Sequence, residues 1–259
     1  LNNSGYVYLY DYEVHNVKIE VTDFHKNKST VTAKVQRDDQ SGFFKETQNN
    51  FQDILIQGKA NLYQNEDVSI SMPDNVLFDH LYLNVKKEAK SSLSDGFTIG
   101  DSFIPAFTWF DIQLKTKELN EALKGKYLIA VKNYKNSVKS LGGVFNDETR
   151  TIKAETREFG YYYVTIDTVP PVITSLSVSE GNDMSKYKAI QFKIADNLSG
   201  IEEYDCFING EWAVLEIDGK KARYTYYIDE KVVKGKNQIL VVVKDERNNA
   251  STYSAEFVY

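Results

Sequence analysis

One cysteine, three histidines, two methionines and four prolines are all that a chain of 259 residues carries of these types. Cys206 alone cannot form an internal disulfide, which suits a cytosolic protein and equally an exported bacterial protein that does without bridges. A catalytic thiol needs a histidine and an orienting partner, and His15, His25 and His80 all lie far from Cys206 in sequence. Cys206 therefore reads as a small buried apolar residue. The histidines form no His-x-His, His-x3-Asp or His-Glu-x-x-His pattern, so the chain offers no catalytic zinc centre. They suit solvent-facing strand or turn positions. Nucleophile elbow, P-loop and dinucleotide fingerprint are also missing. A net charge of −6 without a basic cluster or stripe argues against a nucleic-acid partner. No apolar run approaches the roughly 18 residues that span a bilayer, so no transmembrane segment is expected. No signal peptide is visible. Leu1 in place of a start Met suggests a trimmed sequence, so that absence says nothing about compartment.

What the chain does have is 18 Tyr and 14 Phe, with frequent Val and Thr. That enrichment favours strands over helices. The organising stretch is Tyr161-Tyr162-Tyr163-Val164-Thr165-Ile166-Asp167-Thr168-Val169-Pro170-Pro171. Its aromatic and β-branched alternation ends at Asp167. Two prolines then follow, which cannot sit inside a sheet ladder. This predicts a last strand, a stiff extended spacer and the start of another module.

Val17-Lys18-Ile19-Glu20-Val21 alternates with period two, Asp23 to Ser29 is polar, and Val31 to Val35 resumes the strand pattern, which predicts a hairpin. The pattern recurs 222 positions later. Val17, Ile19, Val21, Asp23, Asn27, Ser29, Ala33 and Val35 become Ile239, Val241, Val243, Asp245, Asn249, Ser251, Ala255 and Phe257. One β module therefore occurs twice, the first time as its closing portion. Residues 38–52 read as a linker. In 53–168 short strands follow one another, with helical turns expected at Asp74–Phe78 and Glu118–Leu123. Residues 169–259 hold about seven strands with Asn209-Gly210 and Asp218-Gly219 as hairpin dipeptides, which matches an immunoglobulin-like sandwich. The expected fold is all-β, in tandem immunoglobulin-like or fibronectin-like β-sandwich modules. These are 1–37 (the C-terminal part of a sandwich), linker 38–52, middle module 53–168 and C-terminal module 169–259.

Acidic pairs such as Asp38-Asp39, Glu202-Glu203 and Asp229-Glu230 place neighbours on opposite strand faces, so they read as solvated surface and not as a glycosidase dyad. Asp196-Asn197-Leu198-Ser199-Gly200 and Asp245 to Asn249 offer oxygen ligands to calcium. The competing reading, preferred here, is that Asp, Asn and Ser bond their own backbone in turns. Tyr161, Tyr163, Tyr224 and Tyr226 are the candidate ligand-facing aromatics, with core and cross-strand packing as the alternative.

Asp167-Thr168-Val169-Pro170-Pro171, with Asp196 to Ile201 and Asn209-Gly210-Glu211-Trp212, resembles the joint and first loops of bacterial immunoglobulin-like domains. With Asp23 to Thr30, Gly142-Gly143 and Arg157 to Tyr162, nearly the whole chain resembles the C-terminal, non-catalytic region of Bacteroidetes-type lysostaphin-like (LytM-type) peptidoglycan metallopeptidases. The resemblance implies a non-enzymatic accessory region of an exported envelope protein, in the periplasm or at the cell surface. It implies peptidoglycan or envelope glycans as partners. No position here matches the family's zinc ligands, so zinc is expected only in a separate catalytic domain and no cofactor in this chain. A stand-alone surface adhesion or glycan-binding protein is the alternative.

Overall fold

The computed structural model describes residues 9–37, 51–90, 93–117, 119–133 and 135–259. The chain divides into a unit of residues 1–50 and a unit of residues 51–259. The apolar run Tyr6-Val7-Tyr8 and residues 38–50 of the expected linker lie outside the described residues. The fold is all-β. No helix among the described residues is long and apolar enough to cross a membrane.

In the first unit, β1 (Val14–Thr22) pairs antiparallel with β2 (Lys28–Gln36). The turn closes because the Asp23 carboxylate accepts the Asn27 N–H and the Asn27 Nδ2–H, each at 2.8 Å. Lys26 takes a left-handed φ of 67° there. Ile19, Val21 and Val31, on one face, are more than half exposed.

In the second unit, the strands of 51–167 are β3 (Asp53–Leu55), β4 (Asn61–Gln64), β5 (Val68–Met72), β6 (Leu81–Leu83), β7 (Val85–Glu88), β8 (Gly96–Ile99), β9 (Pro105–Lys115), β10 (Tyr127–Lys132), β11 (Val138–Ser140), β12 (Val144–Asn146), β13 (Thr151–Glu158) and β14 (Gly160–Ile166). They form two five-stranded sheets, β11-β10-β14-β8-β7 and β12-β13-β9-β5-β4, with β3-β6 as a separate pair. Alternation selects the core. Along β9, Phe110, Ile112 and Leu114 are buried while Trp109 is half exposed. β10 is apolar at every position from Tyr127 to Val131 and is buried on both faces.

Two local expectations need correction. Asp74–Phe78 is not helical; Leu77 instead makes an isolated bridge to Ala106. The helical turn expected at Glu118–Leu123 lies at Glu121–Lys126 as a 3-10 turn, because Asn120 caps it by accepting the Ala122 N–H at 3.0 Å. Strand β8 has no counterpart among the strands expected from the sequence. Its glycine is required by packing: a methyl group on Gly96 would collide with the Tyr161 hydroxyl.

Residues 172–259 hold β15 (Val172–Ser175), β16 (Asn182–Asp183), β17 (Ala189–Ala195), β18 (Ile201–Ile208), β19 (Glu211–Ala213), β20 (Glu216–Asp218), β21 (Arg223–Tyr227), β22 (Lys236–Asp245) and β23 (Ala250–Val258). Sheet β15-β17-β21-β20 packs on sheet β16-β23-β22-β18-β19 around Phe192, Ile208, Ile239, Val241 and Phe257. Asn209 (φ 53°) and Gly210 (φ 85°) form the two-residue loop expected of them. Asp218-Gly219 does not; its hairpin is four residues long, and the left-handed φ falls on Ala222.

The repeated hairpin is the same structure twice. Val17 pairs with Ala33 and Ile19 with Val31, as Ile239 pairs with Ala255 and Val241 with Tyr253. Asp245 accepts the Asn249 N–H and Nδ2–H at 2.8 and 2.7 Å, and Asn248 takes the left-handed φ that Lys26 takes. Only the cover differs: Ile239, Val241 and Val243 are 0% exposed.

Two outcomes follow from this packing. Ile239→Ala should lower the unfolding free energy of the C-terminal module by roughly 2–5 kcal/mol, whereas Ile19→Ala should stay within about 0.5 kcal/mol, as read from urea midpoints at constant m. Buried Asp95 bonds Lys117 and lies 3.0 Å from Lys87, and the Lys117 bond chiefly holds its carboxyl below the ordinary value. Stability from this group is present above the unfolded carboxylate value and is lost as pH falls through the lowered folded one. Asp95→Asn should therefore cost stability at pH 7 and flatten its decline below about pH 4. An unchanged acid limb would contradict the assignment.

Candidate functional site

The four candidate tyrosines do not share one surface. Tyr224 and Tyr226 of β21 are 7% and 1% exposed and belong to the core of residues 172–259. Their placement as ligand-facing residues is corrected. β21 is covered on the face they occupy, and the outward position in its C-terminal half is Tyr227. The Tyr226 hydroxyl donates to Asp229 Oδ1 at 2.5 Å. Burial raises its pKa first, and the carboxylate adds to the rise. Tyr161 and Tyr163 are half-buried neighbours on β14. Their ring centroids are 5.7 Å apart at an interplanar angle of 38°, so they do not form a coplanar platform. Tyr161 lies over Gly96, and Lys90 Nζ stands 4.7 Å from the Tyr163 ring centre. Burial raises both hydroxyl pKa values. Tyr161 also lines a shallow groove of about 700 Å³ with Lys86, Lys90, Thr98, Lys132 and Asn133.

Cys206 is 1% exposed and burial pushes its thiol up to about 12, which makes it inert at neutral pH. His15 pairs with Asp11 at 2.7 Å, His25 packs edge-on against Phe24, and His80 Nδ1 accepts the Gln57 N–H at 3.1 Å.

The chemistry-bearing groups converge instead where the strands of 51–167 meet those of 172–259. Asp167 ends the Tyr161–Asp167 run and is 1% exposed. Its N–H donates to Lys126 O at 2.9 Å, and its Oδ2 accepts the Ser199 N–H at 2.9 Å. Asp196 Oδ2 accepts the N–H groups of Leu198 and Gly200, both at 2.9 Å, as the turn reading of that loop expects. Asp245, also 1% exposed, caps the β22–β23 turn. Asn249, held by Asp245, donates through Nδ2 to Asp167 O at 3.1 Å. Lys126 Nζ donates to Asn249 Oδ1 and Arg247 O, each at 2.6 Å. Arg247 Nη1 donates back to Tyr127 O at 3.1 Å and Gly143 O at 3.2 Å. One carboxylate oxygen from each of Asp167, Asp196 and Asp245 lies within 4.8 Å of the other two. Beside them, burial raises the pKa of Glu246; Arg247 opposes this, and Glu202, Asp196 and Asp245 reinforce it.

Sequence reasoning picked out the Asp196 and Asp245 loops and the prolines after Asp167, but not their meeting point. Lys126 and Arg247 carried no signal, because basic residues are ordinary next to a strand end, as at Lys126, and in a polar turn, as at Arg247. The useful clue was the repeat itself: Arg247 stands where the first hairpin has His25.

Residues 52–167 match the Zu5-like domain family. No curated protein matches the chain by sequence. Among solved structures, the fibronectin(III)-like modules of CbhA from Clostridium thermocellum are similar at 14% identity and a TM-score of 0.27, over 57% of this chain and 84% of that one. The extracellular domain of a hybrid two-component system from B. thetaiotaomicron is similar at 12% identity and a TM-score of 0.24. That match covers 93% of this chain and 36% of the other.

Proposed function

We propose that this chain is a non-catalytic accessory region of an exported cell-envelope protein, and that modules 53–168 and 169–259 serve as a stiff spacer. The observation that carries this reading is the bonded junction. Lys126, Arg247 and Asn249 each bond across it, and Pro170-Pro171 stiffens the connection. Domains joined by an ordinary linker move relative to one another by default. A connection with reciprocal side-chain to main-chain bonds holds one angle. The resemblance to the accessory region of LytM-type peptidases would make the positioned domain a zinc endopeptidase acting on peptidoglycan.

The test is rotational. In NMR relaxation, residues 51–259 should tumble as one body. The double variant Lys126→Ala/Arg247→Ala should tumble as two while each module keeps its stability. Two independent correlation times in the unaltered chain would refute the spacer.

The groove beside Tyr161 favours a second reading, recognition of an anionic envelope glycan. Lys86, Lys90 and Lys132 outnumber Glu88 and Asp101 along it and leave it with a net positive charge, and Tyr161 supplies a ring face for a sugar. Titration calorimetry with muropeptides should then give heat at millimolar ligand that falls at least several-fold in Lys90→Glu/Lys132→Glu. Tyr161 is left intact in that variant because it also covers Gly96. No heat from the unaltered chain would end this reading and leave the spacer untouched.

A further inference from the structure

We propose that Asp167, Asp196 and Asp245 hold one divalent cation of the calcium class at the module junction. Asp167 belongs to the connection between modules, whereas Asp196 and Asp245 lie in two loops of the C-terminal module. Three carboxylates whose oxygens approach within 4.8 Å, two of them on residues 1% exposed, concentrate like charge out of water. None of the three takes part in an ion pair among the described residues.

A second, independent observation points to a ligand. Ser199 is 4% exposed and its hydroxyl has no hydrogen-bond partner; Asp196 Oδ1 is equally sealed and equally unpartnered. The Ser199 N–H donates to Asp167, and its neighbours Leu198 and Gly200 donate to Asp196, so Ser199 is wedged between the two carboxylates. A coordinated cation would satisfy both orphaned oxygens.

The turn bonds alone do not explain this convergence, because the chain contains its own control. Asp23 makes the same bonds to Asn27 as Asp245 makes to Asn249, yet it is exposed and belongs to no such carboxylate group among the described residues. The donor set is all oxygen, which selects a hard cation over zinc or copper. Calcium binds oxygens at about 2.3–2.6 Å, so two ligands across one ion stand up to roughly 5 Å apart, whereas magnesium, at about 2.0–2.1 Å, demands closer spacing. Ser199 Oγ, main-chain carbonyls and water would complete the shell.

The test uses the whole chain after EDTA treatment and desalting. Titration calorimetry with CaCl2 should show one site per chain with a Kd on the order of 0.1–1 mM, the range of extracellular modules, and weaker binding of MgCl2. The thermal midpoint of the C-terminal module should rise with CaCl2. Asp196→Asn should abolish both effects, and Asp23→Asn should leave both intact. Terbium luminescence, quenched competitively by CaCl2, reads the same site in the unaltered chain should Asp196→Asn fail to fold. The proposal is overturned if the unaltered chain shows no heat and no midpoint shift at about 10 mM CaCl2, where such a site would be saturated. It is also overturned if Asp196→Asn binds as the unaltered chain does. The spacer reading is independent of this result, because the Lys126 and Arg247 bonds need no cation.

Discussion

A guanidinium nitrogen that bonds main-chain carbonyls of a neighbouring module keeps those bonds in only one arrangement of the two modules. Arg247 is in that position. Its Nη1 bonds Tyr127 O and Gly143 O, and its own carbonyl takes the Lys126 ammonium. A hydrogen bond made by a charged group stabilises by a net of about 1.5–3 kcal/mol relative to its exchange for water. Separating the modules would exchange several such bonds together. Gly142 and Gly143 belong to the same constraint. Both take left-handed φ values, 64° and 121°, and side chains there would crowd Arg247 and Ile152 respectively.

Much of the architecture was legible from period-two alternation. Phe110, Ile112 and Leu114 announce a buried face, and Pro170-Pro171 announce a break in the ladder. The offset of 222 positions was legible in detail, down to hairpin register and the Asp–Asn turn, because turn chemistry is local and recurs whenever its residues do. β8 was not legible. Its strand character comes from pairing with β7 and β14 and from the Tyr161 ring over Gly96, both of which are tertiary effects. Tyr224 and Tyr226 misled for a related reason: alternation tells which residues share a face but not which face is covered.

The candidate site was legible only in pieces. The loops at Asp196 and Asp245 read correctly as self-bonded turns. Their closeness to each other and to Asp167 depends on how β18 and β22 pair: Ile201 stands opposite Asp245, which brings the start of one strand beside the end of the other. Sequence spacing does not contain that distance. A carboxylate can therefore serve as a turn cap, a loop organiser and a junction contact at once, and only the first two roles are written locally.

The position of β14 within its sheet has a consequence for how the chain comes to be folded. It is the last strand of its module in sequence, yet it lies between β10 and β8. β7 can pair with β8 and β10 with β11 as soon as each is made, but nothing joins the two pairs until residue 166 has been made, so the sheet cannot zip up progressively from the N-terminus. During synthesis, the inner edges of β8 and β10 must wait for the central strand. Non-local closure of this kind is slow and leaves strand edges open in the interval. The prolines begin four residues after β14, so the strand that completes one module is separated by a stiff break from the first strand of the next. Premature pairing between β14 and β15 is thereby discouraged at the moment when both seek partners.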